Sequence, residues 1–261
     1  MTWLKRFVFK LMELSLGLRP YFALRTRNPI FINFRLTTSE RESVERALPD
    51  GFTLRPLRFT ISDEEPAYWL SYNLYELRYP KKEMANLRKV RCEINTFVTD
   101  RTGREGVFVF CGSPFVSQEE KPTAIGRVAD WAERLVIFLY GCGRLTSLRY
   151  ALTEERLVVD LAEAESKLAI DVPVAAEPGE ERLSPDYHRF NDVSFFAGGK
   201  TYDLVNVDSA FGRATLQHVD AASLARLSVA TPFFERAPDH LYIHRGEIGY
   251  LVNALHRTDS A

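Results

Sequence analysis

Cysteine is scarce in this chain. Cys92, Cys111 and Cys142 are the only three in 261 residues and form no CxxC pair, which argues against a zinc ribbon or a dithiol redox motif. They read as reduced thiols packed like small apolar residues, a usage that fits a cytoplasmic protein. Excess charge is also missing: 34 Lys+Arg against 35 Asp+Glu leave a net charge of −1. Nucleic-acid-binding surfaces are usually basic, so no nucleic-acid partner is expected. No segment approaches the roughly 20 apolar residues that span a bilayer. A GxSxG nucleophile elbow is absent. Gly103-Arg104-Glu105-Gly106 and Gly141-Cys142-Gly143 lack the spacing and strand-to-helix setting of a phosphate loop.

Histidine gives no metal site either. His240 and His244 are four apart, but Asp239-His240-Leu241-Tyr242-Ile243-His244 alternates like a strand. Four residues of strand cover roughly 13 Å, too far for two ligands of one ion. Neither metal nor cofactor is expected. What the chain has in quantity is apolar and aromatic surface: 46% hydrophobic residues, with 18 Phe, 11 Tyr and 3 Trp. That suits a sizeable core or an apolar pocket in one compact domain.

Residues 1–20 form a unit of their own in this reading. Lys5, Arg6 and Lys10 interrupt Trp3, Leu4, Phe7, Val8, Leu11 and Leu14 at helical spacing, unlike a signal peptide with its uninterrupted apolar run. An amphipathic helix packed on the body is expected, and a peripheral membrane-surface helix is the alternative. Residues 21–261 read as a single domain.

Within it, Pro29–Leu36 alternates as a strand, and a helix follows with Ser39 as its cap and Glu42 three residues on. Val44, Ala47 and Leu48 form its apolar side, and Pro49-Asp50-Gly51 stops it. Strands are expected over Phe52–Ile61, Tyr68–Leu77, Val90–Val98 and Val107–Cys111, the last two joined as a hairpin through Asp100-Arg101-Thr102-Gly103. Ala124–Tyr140 carries the i, i+3, i+4, i+7 pattern of a helix with one buried face. Short strands follow over Arg144–Leu152, Arg156–Leu161, Lys167–Val174, Val193–Phe196, Arg213–Val219 and Leu241–His244. The sum is an α+β chain, mainly antiparallel β, with a few packed helices and a closed or nearly closed sheet.

Period-two alternation over Arg91–Val98 puts Cys92, Ile94, Thr96 and Val98 on one face, which suits a core. Glu93, Asn95 and Phe97 share the other, a carboxylate beside an amide in an otherwise hydrophobic chain. If that face lines an interior, Glu93 is a candidate acid/base or hydrogen-bond anchor. Arg27, just before the first strand, is the candidate to neutralise a ligand carboxylate.

The strand Ile30–Leu36, the helix ending in Leu48-Pro49-Asp50-Gly51, and Glu93-Ile94-Asn95-Thr96-Phe97-Val98 with Gly106-Val107-Phe108-Val109-Phe110 together resemble the acetoacetate decarboxylase-like superfamily, in particular its lysine-less, uncharacterised branch. The resemblance covers roughly residues 25–175 and implies a cone-like antiparallel β-barrel around a small-molecule cavity. In true decarboxylases of that superfamily an adjacent Lys-Lys pair follows a helix, and its first lysine forms a Schiff base with a β-keto acid. The matching region here is Gly141-Cys142-Gly143-Arg144-Leu145, without lysine. Tyr79-Pro80-Lys81-Lys82 is similar to the pair but precedes the hairpin, among Arg78, Glu83, Arg88 and Lys89.

The expectation is a barrel binding a small organic ligand, a carboxylic acid being one candidate. Glu93 is its candidate catalytic group, and Arg27, Asn95, Phe97 and Arg144 are the candidate ligand-binding residues. Two other functions remain open: a Schiff-base decarboxylase using Lys81-Lys82, and a non-enzymatic membrane-surface module using residues 1–18.

Overall fold

The computed structural model describes residues 21–78, 89–112, 116–117, 143–144, 148–163, 166–174, 181–191, 194–197, 200–206 and 215–253. The expected helices over residues 1–18 and 124–140, and Lys81-Lys82, lie outside these residues. The strands are β1 (Tyr21–Arg35), β2 (Thr53–Leu54), β3 (Trp69–Arg78), β4 (Lys89–Thr99), β5 (Glu105–Gly112), β6 (Val116–Ser117), β7 (Gly143–Arg144) and β8 (Leu148–Leu152). They continue as β9 (Arg156–Glu163), β10 (Ser166–Pro173), β11 (Ser194–Ala197), β12 (Lys200–Asn206), β13 (Gln217–His218), β14 (Val229–Ala230), β15 (Glu235–Arg236), β16 (His240–Ile243) and β17 (Glu247–Asn253). The described helices are α1 (Thr38–Ala47), α2 (Pro185–Asn191) and α3 (Ala221–Leu224).

The chain is mainly antiparallel β with few helices, as its alternation indicates. One cone-like wall is not what the strands form. They divide into a twelve-stranded sheet and a five-stranded sheet, β15-β14-β10-β9-β8, and the larger sheet branches, with β3 placed between β1 and β4.

The branching begins at β1, whose fifteen residues outrun any single partner. Asn28 takes φ 48°, a left-handed conformation that asparagine tolerates better than most residues. Pro29 follows with no N–H to give the ladder. The register against β3 slips between Arg27 and Ile30, so one edge of β1 carries β17 over Tyr21–Arg27 and β16 over Ile30–Asn33. The bulge is anchored on the opposite loop: Asn28 N–H donates to the Gly246 carbonyl at 2.8 Å, and His244 N–H to the Pro29 carbonyl at 3.0 Å.

Both faces of the larger sheet are covered. Ile30, Ile32, Phe34, Leu70, Tyr72, Leu74, Cys92 and Ile94 pack with Leu157, Val159, Leu161, Leu168 and Ile170 of the five-stranded sheet. On the other face, Phe31, Trp69, Phe97, Val107 and Val109 meet Phe59, Leu183, Tyr187, Phe190 and Tyr242. Residues Phe52–Ile61 therefore depart from the expected strand. Only Thr53–Leu54 pairs with β4, and beyond Pro56 the chain turns Leu57 and Phe59 into this second core, held by isolated bridges to Ala67 and Leu183.

Helix α1 is capped by Thr37 rather than by Ser39. Thr37 N–H donates to Glu40 Oε2 at 2.8 Å while Thr37 Oγ1 faces Glu40 N–H at 3.5 Å, a complete capping box. Both Thr37-x-x-Glu40 and Ser39-x-x-Glu42 fit that pattern. Glu40 is the acid that Arg236 also engages, at 2.8 Å, which favours the earlier start.

His240 begins β16 stacked on Tyr242, with centroids 5.4 Å apart, and 5.7 Å from the Trp69 ring. Burial holds its imidazole below the ordinary histidine value, outweighing the nearby Asp63 and Asp239 carboxylates. The unfolded chain takes up this proton near pH 6.5 and the folded chain only at lower pH. His240 therefore contributes stability that is full above about pH 6.5 and is lost as pH falls below it. His240→Gln is expected to shrink the drop in urea midpoint between pH 7.5 and pH 5 relative to the wild type. An unchanged drop would show that the imidazole titrates alike in both states.

Candidate functional site

The second face of β4 is the place where polar side chains are taken into the interior. Antiparallel pairing sets Glu93 opposite Asn73 of β3 and Gly112 of β5, and Asn95 opposite Ser71 and Val109. On the far side of β3, Asn33 of β1 is paired with Ser71 and Phe31 with Asn73. Cross-strand partners stand on the same side of a sheet. Asn33, Ser71 and Asn95 thus form one row, Asn73 and Glu93 the next, and Tyr75 with Arg91 a third.

Burial deepens along this face. The Arg91 side chain is 16% exposed and that of Glu93 9%, whereas Asn95, Ser71 and Asn33 are at 1% or below. Phe97 is buried to the same degree, with its ring 6.3 Å from Phe59, 5.9 Å from Tyr187 and 5.9 Å from Phe190.

Glu93 is fixed by one hydrogen-bond donor and one cation. Tyr75 Oη donates to its Oε1 at 3.0 Å, and Arg91 Nε lies 2.7 Å from the same oxygen. Arg91 reaches it because residues i and i+2 of a strand share a face. The pair is a carboxylate with its cation beside it, set at the shallower end of the polar strip. Deeper in, Ser71 Oγ donates to Asn33 Oδ1 at 2.8 Å. Three amide atoms of this strip are buried with no hydrogen-bond partner: Asn33 Nδ2, Asn73 Oδ1 and Asn95 Oδ1. A buried donor or acceptor left unmet costs about 1–3 kcal/mol. Three in two adjacent rows is a concentration that packing for stability alone disfavours.

The structure brings three of the five sequence candidates onto this face and separates one. Glu93, Asn95 and Phe97 alternate inward as the strand pattern requires, although Phe97 is enclosed by aromatic rings instead of standing free for a ligand. Arg27 does not join them: it is paired with Glu76 and Glu247 across the β1 ladders and is exposed. Glu76 alternates with Tyr75 along β3, so Arg27 belongs to the opposite face, before the bulge. Arg144 is placed by backbone register only, opposite Gly112 of β5, which is itself opposite Glu93 of β4.

Tyr75, Arg91, Asn73, Ser71 and Asn33 were not among the sequence candidates. A signal existed for three of them, because Ser71, Asn73 and Tyr75 fall at period two in a strand whose alternate residues are Leu70, Tyr72 and Leu74. Register against β4 is what turns that alternation into a shared site.

No family model matches this chain, and no curated protein does. Among solved structures it is similar to an acetoacetate decarboxylase-like enzyme from Sphingomonas wittichii RW1, with 9% identity, a TM-score of 0.49, and coverage of 92% of this chain and 93% of that one.

Proposed function

We propose that this chain binds a small organic molecule on the Glu93 face, with Glu93 as its polar anchor and without a Schiff-base lysine. The observation that carries the reading is the buried strip itself: a carboxylate fixed by Arg91 and Tyr75, next to amides whose hydrogen-bonding capacity is not filled. Buried polar groups that serve only structure are with few exceptions hydrogen-bonded, whereas binding sites keep a few convergent polar groups open to a ligand. The register position in line with Glu93 and Gly112 carries Arg144, whose guanidinium stays protonated and forms no imine.

The test is ligand-observed NMR on the full chain with a mixture of small organic acids, amides and hydroxylated compounds, repeated on Glu93→Gln. This substitution keeps the shape of the side chain and removes its charge. At least one compound is expected to bind the wild type and to weaken about tenfold or more in the variant, a difference of about 1.4 kcal/mol. A set of binders indifferent to Glu93→Gln would overturn the site. Incubation with acetoacetate and borohydride is expected to leave no adduct on mass analysis. A stoichiometric adduct on Lys81 or Lys82 would favour the decarboxylase reading instead.

A further inference from the structure

Resting on the reading that the Glu93 face is a binding site, we propose that its ligand is uncharged and carries hydrogen-bond donors together with an acceptor, as a carboxamide or a hydroxylated compound does, rather than a carboxylic acid. Among the side chains described, the charge on this face is already balanced. Arg91 meets Glu93 at 2.7 Å. Arg35, at the far end of β1, is engaged by Asp63 at 3.0 Å, and Arg27 lies exposed on the opposite face. A ligand carboxylate would bring a second negative charge beside Glu93 and would compete with it for the Arg91 guanidinium. Like charges brought together out of water disfavour binding.

The unmet amide atoms state the complementary requirement. Asn95 Oδ1 and Asn73 Oδ1 accept, and Asn33 Nδ2 donates. Their complement is two donors and one acceptor. A primary carboxamide carries that set in a single planar group, and hydroxyl groups carry it in pairs. Asn33 and Asn95 stand two strands apart, about 10 Å, and Asn73 one row along, about 7 Å.

A matched pair of probes tests this: malonamide and malonate share a skeleton and differ in charge and donors. In NMR titrations of the full chain, malonamide is expected to bind saturably and malonate at least tenfold more weakly. Asn95→Leu should weaken malonamide at least tenfold. It should leave the melting temperature of the free protein equal or higher, because the near-isosteric leucine removes a buried atom that has no partner. Malonate binding the more tightly would overturn the inference and leave a small-molecule site standing. A lower melting temperature with unchanged malonamide affinity would make Asn95 structural and overturn it too. Binding of neither probe would also overturn it, and the Glu93→Gln screen then decides separately whether the site itself survives.

Discussion

Phe59→Ala should cost this protein about 3–5 kcal/mol, the range for emptying a fully packed aromatic site. Phe59 is 1% exposed and sits at the centre of the second core. Its ring centroid lies 4.8 Å from Tyr187, 5.6 Å from Phe31, 5.8 Å from Trp69 and 6.2 Å from Tyr242. Most of these contacts are edge-on or tilted, the arrangement the aromatic quadrupole favours, and each adds to plain area burial. The segment that carries Phe59 is not a strand, so its place is held by few backbone bonds. Its N–H donates to Asp63 Oδ2 at 2.9 Å and its carbonyl accepts from Ser184 N–H at 3.0 Å. Losing the ring therefore loosens the loop as well as the core. The loss is a large share of the 5–15 kcal/mol that keeps a typical domain folded. Urea unfolding measures it, and a loss below about 1 kcal/mol would show that the loop is not part of the core.

Arg91→Leu should cost about 3 kcal/mol, the lower end for breaking a buried ion pair, since both side chains keep slight exposure. The leucine fills part of the arginine's volume but leaves the Glu93 carboxylate with the Tyr75 hydroxyl as donor and no cation beside it. Most of the cost is the uncompensated charge. The double variant Arg91→Leu/Glu93→Leu should recover most of the lost stability, because removing both partners also removes both desolvation penalties. A double variant that merely adds the two single losses would show that the groups do not act as a pair.

The sequence made β4 legible and left its neighbours less so, for a physical reason. In Arg91–Val98 the two faces differ in chemistry, so alternation alone assigns Ile94 to the core and Glu93 to the other side. The segment from Leu54 to Phe59 also mixes apolar with polar residues as a half-buried strand does, yet Pro56 and the bridges to Ala67 and Leu183 show a tertiary role that no local pattern encodes. Helix α2 was missed although its start was written out. Ser184 precedes Pro185, the favoured first residue of a helix, and Ser184 Oγ accepts from Tyr187 N–H at 3.1 Å. Arg27 illustrates the opposite error. Its distance in sequence from β4 gave no face, and the bulge at Asn28 decides it. The polar strip was half visible, since which polar residues of β1, β3 and β4 become neighbours is settled by register, a property of pairs of strands.

The divided edge of β1 also sets a timetable for folding. Its first half is paired with β17 and its second with β16, strands that lie at the other end of the described chain. By contrast β8, β9 and β10 form a meander of immediate neighbours. Contacts between distant segments form slowly, because the entropy of closing the intervening loop is lost before they reward it. During synthesis β1 emerges early and must wait for the last strands with an open hydrogen-bonding edge, the kind of surface on which nascent chains aggregate. The local meander and the β4–β5 hairpin are complete long before then. The bulge that joins three partners to one strand thus makes the chain's earliest described strand among the last to be fully paired.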